Sequence, residues 1–359
     1  MKKAAVILLM LSVFISFYCN IYAQNSGGNI MNDKKNPFGV LEFFHWNHAW
    51  NKYKYNNTDT IKKSVALLKE AGIGIVRLDF LWSDIEPFQG KLNFSKYDDI
   101  VTILTDNGVE ILGILNYSTD WASPDKKWNS PSTDNGMFIN YVTEVVKRYK
   151  DKVSYWEIWN EPDSHIYWSP QDGLKQYCSL LKDSYKKIKE IAPQSIVLNG
   201  GLANGPASVN RLYDNGAKDY FDVMNIHIFD SPLIEGSSVR VLSQIRLTEK
   251  IMRRNNDSDK PIWITELGCP GVAPGIKTKD WWMGKNPSEE EQAAWLKEVY
   301  AKILKETQVE RIFWAFFRDC KDHWKDGVDY LGLIRWDFSA KPAFAEYKKI
   351  ISSWNNLQR

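Results

Sequence analysis

The chain has 359 residues, with 46 Lys and Arg against 44 Asp and Glu. So even a balance offers no long-range field to recruit nucleic acid or an anionic membrane surface, and neither is expected as a partner. Aromatic residues make up 14% of the chain and include 16 Trp, a composition that suits clefts stacking flat apolar rings on sugar C–H groups.

The chain opens with Lys2 and Lys3, an apolar run and the small Ala23, which predicts a secretory signal peptide over residues 1–23. Its removal takes two lysines and leaves 44 residues of each sign. The bulky Tyr18 before Cys19 fits a lipid-attachment site poorly. Residues 24–36 are polar and contain Gly, and read as a flexible leader. The expected product is exported, secreted or periplasmic, and no later segment is long enough to span a membrane.

After Pro37 eight apolar or β-branched runs recur: Phe38–Phe44, Ile73–Phe80, Val109–Leu115, Val153–Trp159, Ile196–Asn199, Phe221–Ile228, Pro261–Thr265 and Arg311–Phe316. Helical stripes lie between them. One is Ile61, Val65, Leu68 and Ala71, closed by Gly72; another is Ile100, Ile103 and Leu104, ending at Asn107-Gly108. Val142, Val145, Val146 and Tyr149 line a third, and Tyr177, Leu180, Leu181, Tyr185 and Ile188 a fourth, stopped by Pro193. Ser288-Glu289-Glu290-Glu291 is a capping box opening a helix that carries Ala294, Trp295, Leu296 and Val299.

Eight strands alternating with helices predict a parallel sheet, and the count predicts one closed (β/α)8 TIM barrel over residues 37–359. A doubly wound open sheet would carry a Gly-rich phosphate loop after an early strand, and there is none.

In such a barrel the strand C-terminal ends carry the chemistry. Those ends hold His45, Arg77 with Asp79, Asn116 with Tyr117, Asn160 with Glu161 and Asp163, His227, Glu266, and Trp314 with Arg318 and Asp319. Glu161 ends a strand at a Pro-containing turn, flanked by Trp156, Trp159 and Asn160. Carboxylates on strands four and seven can face one another across the mouth, and glycoside hydrolysis needs two such groups. His45, His48, His165, His227 and His323 match no zinc-ligand spacing, so no metal or other cofactor is expected.

The stretch WNEP resembles the acid/base motif of the retaining glycoside hydrolases of the (β/α)8 clan that includes families 5, 10, 39 and 51. IVRLDFLWSDIEPFQGKLNFSKYDDIV, KVSYWEIWNEPD, the TEL strand end and SEEEQAAWL are most similar to family 39 and its close relatives. The resemblance implies Glu161 as general acid/base and Glu266 as nucleophile. It further implies Asn160 as donor to the sugar 2-hydroxyl and Arg77 as the cation that keeps Glu266 ionised. His227 and Trp314 would line the subsite of the cleaved residue, with Asn116 and His45 as further substrate contacts. An oligosaccharide or polysaccharide is the implied substrate, acted on by a monomer. Many members of the clan carry a Tyr near the end of strand six that bonds the nucleophile, where this chain reads His227-Ile228-Phe229. A barrel that binds carbohydrate without catalysis is the competing reading.

Trp281 and Trp282 are either core plugs or sugar platforms. Cys178, on an apolar stripe, reads as a buried thiol. Cys269 and Cys320 follow neighbouring strands, and a disulfide between them and two separate thiols both remain open.

Overall fold

The computed structural model describes residues 36–51, 54–55, 57–170 and 173–358. The signal peptide and, apart from Asn36, the leader lie outside the described residues. Asn36 ties down the start of the barrel: its Oδ1 accepts from the Phe38 N–H at 3.0 Å and its Nδ2 donates to the Gly72 carbonyl at 2.8 Å.

Each of the eight apolar runs overlaps a strand, with ends differing by up to three residues. The strands are β1 (Phe38–Leu41), β2 (Ile75–Leu81), β3 (Glu110–Asn116), β4 (Tyr155–Ile158), β5 (Ile196–Asn199), β6 (Met224–Phe229), β7 (Ile262–Gly268) and β8 (Val309–Ala315). All pair in parallel in the order β5-β4-β3-β2-β1-β8-β7-β6. Between β5 and β6 only isolated bridges form, at Leu198–Val223 and Leu202–Ile226. Two asparagines reinforce that seam. Asn199 Nδ2 donates to the Asn225 carbonyl at 2.9 Å, the Asn225 N–H donates to Asn199 Oδ1 at 2.9 Å, and Asn225 Nδ2 donates to the Asn199 carbonyl at 3.2 Å. The sheet thereby closes into the single (β/α)8 barrel expected from the strand count.

The predicted stripes lie on helices at Thr58–Ala71, Ser95–Asp106, Asn135–Tyr149, Leu174–Ile191 and Glu289–Glu306. Their ends carry the expected devices. Gly72 takes a left-handed C-terminal cap at φ 77°, and Ser288 with Glu291 forms both bonds of the capping box. No helix among the described residues is long and apolar enough to cross a membrane.

Strand alternation sorts the side chains into two cores. Ile75, Leu112, Tyr155, Leu198, Trp263 and Phe313 come from six different strands and meet, with Val223 just before β6, inside the barrel. Arg311 lies among them, its guanidinium 4.8 Å from both the Tyr155 and the Trp263 ring centres and paired to Glu110 at 2.8 Å. The larger core lies outside the strands against the helices, where each buried Leu, Ile or Val contributes roughly 1.5–3 kcal/mol.

The same alternation corrects one sequence expectation. With Phe313 inside, Trp314 points outward. It is fully buried against Trp295 and Tyr300 of the helix Glu289–Glu306, and its Nε1 donates to the Leu331 carbonyl at 2.8 Å. It therefore packs the outer layer and lines no subsite. Cys178, Cys269 and Cys320 are all free and buried, so no disulfide ties β7 to β8.

Candidate active site

A polar layer sits above the inner apolar one, built around Arg77 of β2. Its Nε and Nη2 donate to the two oxygens of Glu157 at 2.7 and 2.8 Å. Nη1 donates to Glu266 Oε1 at 2.6 Å, and Nη2 also reaches Asn160 Oδ1 at 2.8 Å. One planar cation thus fixes groups from β4, the turn after it and β7, a use of the guanidinium fork that a Lys could not reproduce. Glu157 also accepts the Gly201 N–H at 2.9 Å.

Glu161 is presented by a strained turn. Trp159 and Glu161 both have left-handed backbones, at φ 66° and 45°, a conformation that costs non-Gly residues on the order of 1–3 kcal/mol. The Trp159 N–H donates to Leu115 at 3.0 Å, and its indole donates to the Tyr167 carbonyl at 2.9 Å. These bonds hold the turn so that Glu161 faces the barrel axis. Its Oε1 lies 2.8 Å from Nδ1 of His227. Gly201 makes room for that ring, since a Cβ there would fall 1.9 Å from His227 Nε2.

Glu266 reaches the same space through a bulge. Ile226 pairs with Ile264 but His227 pairs with Glu266, so Thr265 is an extra residue in β7. A bulge lets two successive residues share a face. Thr265 bonds His227 at 2.9 Å while Glu266 bonds Arg77. One oxygen of Glu161, one of Glu266 and a His227 ring nitrogen lie within 4.8 Å of one another.

The two carboxyls are each only 8% exposed, and their surroundings divide them. Burial raises both above the ordinary carboxylate range. Glu161 is pushed further by the Glu266 and Asp163 charges. Arg77, in direct contact with Glu266, opposes the rise there more strongly than at Glu161, so Glu266 is the readier of the two to ionise and Glu161 the readier to hold a proton. His227 is pushed well below its ordinary value by burial and by Arg77, so its ring is neutral.

Of the residues singled out from sequence, Glu161, Glu266, Arg77, Asn160 and His227 come together here. Asn116 lies beside them rather than among them: its Nδ2 holds Asp79 Oδ1 at 2.7 Å. His45 is buried, its ring 6.4 Å from those of Tyr97 and His48, and burial pushes its pKa well down. His48 belongs to a separate ion cluster with Asp84 at 2.6 Å. The β8 end contributes Phe316 in place of Trp314, stacked on Trp324 at 5.2 Å and edge-on to Phe43 at 4.8 Å.

Sequence reasoning gave no role to Glu157, Asp79 or Thr265. Glu157 carried a usable signal, an acid inside an apolar strand. Asp79, two residues past Arg77 and on the same face, carried another. At the rim Trp282 is 60% exposed and packs edge-on to Phe229 at 5.3 Å, whereas Trp281 is buried. Trp281 is thus a core plug, and Trp282 is the one of the two left accessible. Trp128 projects from the β3 loop, edge-on to Tyr117 at 4.7 Å, and Tyr117 OH accepts from Asn160 Nδ2 at 3.1 Å.

Among the described residues, Glu161, His227 and Glu266 are close enough to share a cation. Their donor set fits one poorly. The Arg77 guanidinium already occupies the Glu266 oxygen at 2.6 Å, and both His227 nitrogens are engaged in hydrogen bonds.

A 6-phospho-beta-glucosidase of Clostridium longisporum is 32% identical over 113 residues, 30% of this chain and 24% of that protein. The chain thus aligns with about a quarter of that curated relative's length. A family 39 glycoside hydrolase from Bacteroides cellulosilyticus WH2 superposes with a TM-score of 0.70 at 23% identity, over 91% of this chain and 65% of that one. GH5_18 from Streptomyces cattleya, solved in complex with GlcNAc, gives 0.68 at 15% identity, over 90% and 81%. At these identities the two structures establish the barrel fold alone. The family model described as Cellulase (glycosyl hydrolase family 5) matches residues 31–318, most of the chain, and the chain belongs to that family.

Proposed function

We propose that the protein is an exported, retaining glycoside hydrolase that cleaves O-glycosidic bonds of an oligosaccharide or polysaccharide, acting as a monomer. The observation that carries this reading is the carboxylate spacing, with Glu161 and Glu266 oxygens within 4.8 Å. Retaining enzymes hold their carboxyl groups ~5–5.5 Å apart, and inverting ones ~6.5–9.5 Å apart to admit a water. The division of charge supports the same roles. Ionised Glu266 attacks the anomeric carbon while protonated Glu161 gives its proton to the leaving oxygen, forming a glycosyl-enzyme ester. Esterification removes the Glu266 charge that had raised the Glu161 pKa, so Glu161 then serves as the base that activates water. Arg77 and Asn160 preorganise the pair. Export is supported by the basic, apolar and small-residue pattern of residues 1–23.

A carbohydrate-binding barrel without catalysis would have no use for two buried carboxyls in opposite charge states. Proton NMR of aryl β-glycoside and α-L-arabinofuranoside hydrolysis tests the reading. The first sugar released should keep the anomeric configuration of its substrate; inverted product, or binding without turnover across the panel, would overturn it.

A further inference from the structure

A chain of hydrogen bonds runs from the β5–β6 seam to the acid, and each link fixes the direction of the next. Asn199 Nδ2 donates to the carbonyls of Gly200 at 2.8 Å and Asn225 at 2.9 Å, which leaves its Oδ1 to accept the Asn225 N–H. Asn225 Nδ2 donates to the Asn199 carbonyl at 3.2 Å, and turning this amide over would set two oxygens against each other. Its Oδ1 therefore faces Thr265 Oγ1, at 2.7 Å, and can only accept. The single Thr265 hydroxyl proton is spent there. Thr265 Oγ1 must then accept from His227 Nε2, 2.9 Å away. A neutral imidazole with its proton on Nε2 has none on Nδ1. Nδ1 lies 2.8 Å from Glu161 Oε1, so the proton between them belongs to Glu161.

We infer that Asn225 and Thr265 are positioning residues that lock His227 in its Nε2–H tautomer and thereby keep the proposed general acid Glu161 loaded with its proton. This rests on the glycosidase reading above. The lock works in both halves of the reaction. In the first, rotation about the carboxyl C–O bond turns the stored proton onto the leaving oxygen. In the second, the emptied carboxylate faces a ring nitrogen that cannot donate to it, and that makes it a stronger base towards water. Most of the remaining charges facing the pair favour a neutral contact. Arg77 on β2 disfavours an imidazolium, and although it also favours an ionised Glu161, burial together with Glu266 on β7, Asp163 on the β4 loop and Glu157 on β4 outweighs it. The Tyr117 and Tyr167 phenols also face this space and remain uncharged. The bulge in β7 is what turns Thr265 inward beside Glu266.

Two measurements test the inference. In the 15N-histidine-labelled protein, with the His227 signals assigned by their loss in His227→Gln, the ring should show a protonated Nε2 and a bare Nδ1. An Nδ1–H tautomer or an imidazolium would overturn it. This readout needs no turnover, so it stands or falls apart from the glycosidase reading. Thr265→Val keeps the shape but removes the acceptor, freeing the ring to place its proton on Nδ1 and donate to an ionised Glu161. The basic limb of kcat/KM should then move down by about one pH unit, and the spectrum should switch tautomer. Thr265→Ser should hold both at wild type. A Val variant with an unmoved basic limb, or a Ser variant that shifts as far as Val, would refute the lock.

Discussion

Glu157→Gln is the most informative single change, because it is isosteric and touches neither carboxylate proposed to react. Glu157 Oε1 accepts from Arg77 Nη2 at 2.8 Å and from the Gly201 N–H at 2.9 Å, and Oε2 accepts from Arg77 Nε at 2.7 Å. A Gln can place its oxygen where Oε1 was, but its amide then opposes Arg77 Nε, donor against donor. One charge-assisted bond, worth ~1.5–3 kcal/mol, is lost and a buried donor is left unpaired. Removing one partner of a buried ion pair costs ~3–5 kcal/mol, and the bonds retained here argue for the lower end, about 3 kcal/mol. At an unfolding entropy of ~2.1 cal/mol/K per residue, about 320 residues turn that into a fall in Tm of roughly 4–5 °C. The catalytic consequence has the opposite sign. Glu157 is one of the charges that raise the Glu266 pKa, and its neutralisation leaves more of the Arg77 charge to Glu266. Glu266 should ionise at lower pH, moving the acid limb of kcat/KM down by on the order of one pH unit. Thermal denaturation followed by a pH–rate profile reads both. A variant that melts with the wild type, or whose acid limb moves up, refutes the reasoning.

Asp79 is pushed up to about 6 by burial, above its unfolded value of ~3.9. The native state thus binds the extra proton between those values, and stability is lost as pH rises through the window, by about 2–3 kcal/mol. Asp79→Asn should flatten that slope and melt higher at pH 7, and a lower Tm there would contradict the burial argument. Trp314→Phe should cost ~1 kcal/mol through the lost bond to Leu331 and leave KM unchanged, whereas Trp282→Ala should raise KM for oligosaccharides and leave Tm within about 1 °C. A KM effect from Trp314 would return that residue to the cleft. Alkylation and peptide mapping of the unreduced protein should find Cys178, Cys269 and Cys320 all as free thiols; a Cys269–Cys320 linked peptide would contradict the packing.

The strands and helices were legible because their signals are local. Eight apolar runs, four helical stripes and a capping box each depend on a few neighbouring residues. Glu161 and Glu266 were legible for a related reason, since each ends a strand and strand ends form the mouth. What escaped depends on register. Trp314 stands at a strand end and the family resemblance implies a place for it in the cleft, yet whether it points in or out is set by pairing with β1 and β7. The β7 bulge, which turns both Thr265 and Glu266 inward, leaves no mark in PIWITELG. His45 was read as a mouth residue, but the chain after β1 turns it towards Tyr97. The missing Tyr after β6 left open whether His227 takes its place beside Glu266. In the structure His227 lies 3.7 Å from Glu266 and closer to Glu161, while Arg77, already expected beside Glu266, contacts it at 2.6 Å.

The division of labour between the two carboxyls is tested most directly by azide rescue of their alanine variants on an aryl glycoside with a good leaving group. Glu161→Ala should still form the glycosyl-enzyme, release a burst of phenol and then stall. Azide, which needs no base, should restore turnover and yield a glycosyl azide of retained configuration. Glu266→Ala should give no burst, and azide occupying the nucleophile's place should yield the inverted product. Retained azide product from Glu266→Ala, or inverted product from Glu161→Ala, would contradict the assignment of Glu266 as nucleophile and Glu161 as acid.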